Sequence, residues 1–428
     1  MHARGLVEVL RGRDFRRLYA TRLTSQLTDG VFQVALAGYV FFSPERQASA
    51  GQAAAAFAVT LLPYSALGPF VGVLIDRWDR RRILIWTPVL RAALVAVVAL
   101  LVAAGDDGAP FFIGVLVVLG VNRFFLAALS AGLPRVVPRE HLVTANAFAV
   151  TSGTVIAFVG AGIGYGLRGA FGAEDSGTAA ILAAAAGLFL TAGAVALSLP
   201  RRVLGPHLEE ITAEARQELR NVVRGLVDGA RHILRRRPAA LGLGAISFHR
   251  FLYGIVLIMT LLLCRNHFNA NAEDGLATFA LMLGVSGAGF FAAALVTPLV
   301  VRRISKQAWI WCLLGSAAVL LLVLGTPFTE ELWAAGAFVL GVVSQGVKLS
   351  VDTILQESIE DAYRGRVFAV YDMLFNATFA AAAGLAAAWL PPDGLSYVTL
   401  GAVVAAYGAG ALGFRILAFR TRTPVNTP

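Results

Sequence analysis

Cysteine is nearly missing from this chain: Cys264 and Cys312 are the two in 428 residues, and both sit inside apolar runs. A disulfide framework and any paired-cysteine metal motif are thereby excluded, and both thiols read as small apolar packing groups. Charge is scarce too. Asp, Glu, Lys and Arg make up 14% of the chain, against about 25% in ordinary soluble domains, which argues against a water-soluble enzyme and against a disordered chain alike. Lysine is almost absent, with Lys306 and Lys348 the exceptions among 36 basic residues; the arginine bias, with abundant alanine and glycine, matches GC-rich bacterial coding. No Walker loop, HExxH pair or GxSxG elbow occurs, so neither ATP-driven pumping nor membrane hydrolysis has recognisable machinery. No His or Asp nucleophile cluster suggests an acyltransferase. The sequence reads as a non-enzyme with no cofactor and no metal site.

What the chain has instead is apolar length. Hydrophobic residues make up 57% of it, close to the roughly 240 residues that twelve bilayer spans of about 20 need. Twelve apolar runs of spanning length follow one another, the first from Leu18 to Phe42, the second from Gly51 to Ile75, the sixth ending at Leu199, the seventh starting at Ala239 and the last ending at Phe419. The first run is no signal peptide, being too long, carrying Arg22 and Asp29, and running at once into a second span. The net charge of +10 would suggest nucleic acid on one basic surface, but here it is spread over short loops. The loops on the side of the two termini hold most of the arginines, and the opposite loops hold only Arg46, Arg168 and Arg265. Both termini are therefore expected in the cytoplasm, with the protein in a bacterial cytoplasmic membrane.

The longest loop divides the chain into an expected six-helix bundle at 1–199, a linker at 200–238 and a second six-helix bundle at 239–428. Within the linker, apolar residues from Leu208 to Ile233 recur at three- and four-residue steps, with glutamates early and arginines late. That pattern predicts an amphipathic helix along the membrane surface tethering the halves. The halves resemble each other at an offset near 220: Phe148-Ala149-Val150 falls on Phe368-Ala369-Val370, and Arg80, Arg81 and Arg82 fall opposite Arg302 and Arg303. A duplicated bundle in a membrane favours a transporter that rocks its halves about a central site.

Between the second and third runs the sequence reads GVLIDRWDRRRIL, from Gly72 to Leu84. It closely resembles the signature loop of the major facilitator superfamily, G-x-L-x-D-R-x-G-R-R, with Gly72, Leu74, Asp76, Arg77, Arg80 and Arg81 in place and Asp79 where the family has glycine. Leu355 to Asn376 and Asp14 to Leu36 resemble the branch containing macrolide, multidrug and siderophore exporters. The resemblance implies an all-α membrane protein of twelve transmembrane helices in two pseudo-symmetric bundles, with spans one, four, seven and ten around a cavity. It also implies that Asp76 helps hold the cytoplasmic side closed against the start of span eleven. Export antiporters of the family often carry a Gly-Pro pair in span five, where this chain has Gly160-Ala161 amid Gly153, Gly162, Gly164 and Gly166.

A charge at mid-membrane costs about 2.5 to 3.5 kcal/mol on insertion scales, so deep charges should face protein, water or an opposite charge. Asp29, Arg123 and Arg250 are the deepest and lead as proton-coupling or substrate residues, followed by His249 and Lys348. Asp29 and Arg123 form an expected buried pair, either a proton-coupling device or a permanent tie between two helices. His249 is either a titrating carrier or a hydrogen-bonded structural residue. Lys348 and Asp352, four apart, can meet on one helical face. Asp352 and Asp372, with Gly72, Asp76, Arg77, Arg80 and Arg81, are expected to form a cytoplasmic gate. Arg22, Arg91 and Arg415 are expected to snorkel to a membrane surface.

These observations imply a secondary transporter, most directly a proton-coupled exporter of a hydrophobic or amphiphilic small molecule. Its expected partners are that molecule, protons and lipid, without nucleic acid, and it is expected to be a monomer. The competing reading is a receptor or scaffold that kept the fold without transporting.

Overall fold

The computed structural model describes residues 10–42, 51, 78–138, 141–200, 204 and 215–419. The second expected span beyond Gly51, with Gly72, Asp76 and Arg77, lies outside them. Among the described residues the regular structure is helical throughout: α1 (Arg13–Phe41), α2 (Arg80–Ala103), α3 (Ala109–Gly132), α4 (Leu142–Phe171), α5 (Asp175–Leu197), α6 (Ala215–Arg235), α7 (Arg237–Asn266), α8 (Ala272–Val300), α9 (Lys306–Gly325), α10 (Glu330–Ser358), α11 (Asp361–Trp389) and α12 (Tyr397–Phe419). Ten of these helices are long and apolar enough to cross a membrane. Besides the linker helix α6, α1 stands apart from the ten, because Ser25, Gln26, Asp29 and Gln33 dilute a helix that is itself of spanning length.

The chain forms two compact units, divided within α6 between Val222 and Val223 rather than on either side of a separate linker. In the first unit α1 packs on α4 and α5, and α2 packs on α3 and α5. In the second, α7 packs on α11 and α12, and α9 packs on α10 and α12. With the second expected span counted in the numbering, these are the same pairings repeated. The local signals repeat as well. Asp79 caps α2 by accepting from the amides of Arg81 and Arg82, at 2.9 and 3.4 Å, and Ser305 caps α9 by accepting from the amide of Ala308 at 3.1 Å. Asp79 has φ −57°, so the residue standing where the family has glycine needs no unusual backbone and gains a capping bond.

Glycines set how closely the helices approach. A Cβ at Gly30 would collide with the Ala157 carbonyl, and one at Gly160 with the Leu27 carbonyl, so α1 and α4 touch backbone to backbone. Gly289 on α8 and Gly341 on α10 meet Phe338 and Ser286 in the same way. Gly162 and Gly166, also on α4, have nothing within 4 Å of a Cβ, so two of the five glycines in that run do not serve close packing.

Both ends of the linker are anchored. Leu204 is buried in the core of the first unit beside Phe125, Leu129 and Leu133, and its carbonyl accepts from Arg80 Nη1 at 3.0 Å. In the second unit, α6 lays Gly225 and Gly229 against Arg366, stacks His232 on Tyr363 with centroids 4.2 Å apart, and is followed by Arg236, which pairs with Glu360.

Candidate functional site

Two clusters hold the deep charges. The first lies inside the first unit. Asp29 on α1 pairs with Arg91 on α2. Arg91 also donates to the Asn122 side-chain oxygen on α3 at 3.0 Å, and its guanidinium lies over the Phe189 ring on α5, 4.0 Å from the centroid. One cation thus ties four helices together. Arg91 is fully buried, and Asp29 is the one buried acid among the described residues. The basic partner of Asp29 is therefore Arg91 and not Arg123, and Arg91 does not snorkel. Arg123 follows Asn122 on α3, about 100° further round the helix, and is half-buried.

Arg80 and Arg81 have a different local task. Arg81 donates to the carbonyls of Leu199 and Leu197 at 2.6 and 3.0 Å, and Arg80 to those of Leu204 and Ala131 at 3.0 and 3.3 Å. The Leu197, Leu199 and Ala131 carbonyls lie at or just past the ends of α5 and α3, where a cation is also favoured by the helix dipole, and the Leu204 carbonyl belongs to the linker. Arg168, expected as a loop residue, is buried and donates to the Phe42 carbonyl at 2.6 Å, capping the end of α1.

The second cluster belongs to the second unit and joins α7, α10 and α11. Lys348 and Asp352 bond at 2.6 Å along α10. Lys348 Nζ is 5.8 Å from the centre of the Tyr371 ring on α11, and Tyr371 also lies beside Asp352. Arg250 on α7 is enclosed by rings, its guanidinium carbon 4.2 Å from the centroid of Phe375, 4.4 Å from that of Phe379 and 5.7 Å from that of Tyr253. Among the described residues it has no carboxylate or hydrogen-bond partner. Asp372, next to Tyr371, is exposed. Tyr371, Phe375 and Phe379 escaped the sequence reading; their spacing of four along α11 was the available signal.

His249 packs at the edge of this cluster, its ring centroid 5.9 Å from that of Tyr253. It is 1% exposed, and its Nδ1 lies 3.1 Å from the Tyr407 hydroxyl on α12. A bond of this kind is what the structural alternative of its two sequence readings calls for. Across Tyr253 the unit also contains a small apolar cleft, where Trp333 donates to Thr260 at 2.9 Å and the hydroxyls of Tyr253 and Ser286 stand 3.4 Å apart.

A bundle of apolar helices of spanning length, with paired charges kept from lipid by neighbouring helices, is the architecture of an integral membrane protein. The family model of the Major Facilitator Superfamily matches residues 19–383, and the chain belongs to that superfamily of transporters. It is 40% identical over 404 residues to an uncharacterized MFS-type transporter of Mycobacterium tuberculosis, covering 92% of this chain and 90% of that one. A macrolide efflux protein A of Streptococcus pyogenes is 30% identical over 129 residues, 30% of this chain and 31% of that one. Among solved structures, the nucleoside transporter NupG superposes with a TM-score of 0.61 at 15% identity, over 95% of this chain and 98% of that one. An auto-inhibited POT family peptide transporter superposes with 0.64 at 12%, over 97% and 98%. These likenesses establish the all-α major facilitator fold.

Proposed function

We propose that this transporter exports a hydrophobic or amphiphilic small molecule in exchange for protons, by alternating access, from a bacterial cytoplasmic membrane in which both termini face the cytoplasm. The observation that carries the reading is the buried Asp29–Arg91 pair. A proton on Asp29 cancels the attraction and frees Arg91 to favour Asn122 and Phe189, so the four helices have two arrangements that protonation selects between. The match to the macrolide efflux protein supports export, and the arginine bias of the loops supports the orientation. Substrate binding falls to Arg250 and Lys348, with Arg123 a further cavity candidate. The cytoplasmic gate falls to the signature loop, from Gly72, Asp76 and Arg77 to Arg80 and Arg81, working with Asp352 and Asp372. His249 is left with a structural role. The transporter works as a monomer, in contact with lipid.

The test is reconstitution of the purified protein in liposomes, with candidate compounds screened under an imposed pH gradient. Gradient-dependent accumulation of at least one compound supports the reading. No flux for any compound, together with tight binding of a cytoplasmic partner, replaces it by the receptor reading.

A further inference from the structure

The surroundings of Arg250 point to a substrate class, an inference that rests on the transporter reading above. Aromatic rings grouped in a membrane transporter ordinarily suggest a cage for a cationic ligand. Here the cage is already filled. Phe375 and Phe379 hold the chain's own guanidinium at 4.2 and 4.4 Å, so the ring faces that would attract an ammonium group are taken by a fixed positive charge. The nearby charges do not reverse this. Asp352 is matched by Lys348 at 2.6 Å, the Tyr371 ring lies 5.8 Å from Lys348 Nζ, and Asp372 is exposed on the next position of α11. Arg250 is thus a half-buried cation with no acid of its own among the described residues. A guanidinium packed against rings, with no hydrogen bond to its N–H donors among the described residues, keeps those donors free, and they match a carboxylate or phosphate two bonds at a time. Its weak hydration and apolar walls favour an anion that brings its own apolar body.

We propose that Arg250, with Phe375, Phe379 and Tyr253, binds the oxyanion of an anionic amphiphile, and that the cluster discriminates against cationic amphiphiles. The experiment is isothermal titration of the full-length protein in nanodiscs of zwitterionic lipid with three probes of one ring system: 2-naphthyl phosphate, 2-naphthoate and 2-naphthylmethylammonium. The two anions are expected to bind at least tenfold more tightly than the cation. Arg250→Gln is expected to lose at least tenfold for the anions, Arg250→Lys to recover part of that, and Arg415→Gln, on α12 beside Trp311, to change nothing. Tighter binding of the cation, or unchanged anion affinity in a folded Arg250→Gln protein, overturns the proposal, and the wild-type comparison decides even if that variant does not fold. Displacement of naphthyl phosphate by a lysophosphatidate assigns the site to a lipid-borne acid; failure to displace assigns it to a soluble one. Anion binding without flux in liposomes keeps this site and removes the transport reading, whereas flux confined to cations does the reverse.

Discussion

Asp29 on α1 and His249 on α7 stand 220 residues apart, at equivalent places in the two halves, and each turns inward onto a helix of its own unit. The first half fills the position with a carboxylate bound to Arg91, under which lies Phe189 of α5. The second fills it with a neutral bond from α7 to Tyr407 of α12, the helix that corresponds to α5. The two positions thus differ in chemistry, with the salt bridge in one half and a hydrogen bond in the other.

The neutral half makes the first prediction. Tyr407→Phe removes one buried hydrogen bond and is expected to cost about 1 kcal/mol of stability, without altering how transport depends on pH. Thermal unfolding in detergent and a pH–flux profile check both parts. A displaced profile would return His249 to the proton path.

Arg91→Met leaves Asp29 as an unpaired acid in a dry interior, and breaking such a pair costs about 3–5 kcal/mol. The double variant Asp29→Asn/Arg91→Met removes both charges and is expected to recover most of the loss. A double-mutant cycle by thermal unfolding measures the coupling; simply additive losses would mean that the two groups do not hold each other.

On α4, Gly160→Ala places a methyl group where the Leu27 carbonyl lies, whereas Gly162→Ala meets open space. The first is expected to destabilise by about 1–3 kcal/mol, the range for overpacking. The second is expected to be neutral or to gain up to about 1 kcal/mol from helix propensity. Thermal shift of the purified variants separates them.

Asp79→Gly restores the residue common in the signature loop. Because Asp79 caps α2 from an ordinary backbone conformation, the change is expected to cost a few tenths of a kcal/mol, and Asp79→Ala about 1 kcal/mol. An unfolding series of the two variants reads the ordering directly.

Among the described residues, the order of the expected spans and the linker helix were legible in the sequence because they depend on length and spacing along one chain. Lys348 and Asp352 were legible for the same reason, four residues on one helix being neighbours by geometry. The partner of Asp29 was not. A helix in lipid is apolar toward both membrane and bundle, so hydropathy hides which face is inside. Arg91 in fact continues the buried stripe Leu84, Pro88, Val95, Val98 and Val102 of α2, a pattern of alternating three- and four-residue steps that apolar neighbours on every side obscure. The filled aromatic cage was hidden for a related reason, since it joins α7 to α11 across more than 100 residues of chain.

Coupling through Asp29 is tested most directly in proteoliposomes that carry a transported compound and an imposed pH gradient, comparing wild type with folded Asp29→Asn/Arg91→Met. Wild type is expected to concentrate the compound until a protonophore collapses the gradient, while the double variant only equilibrates it. Accumulation by the double variant to the wild-type level would contradict the account.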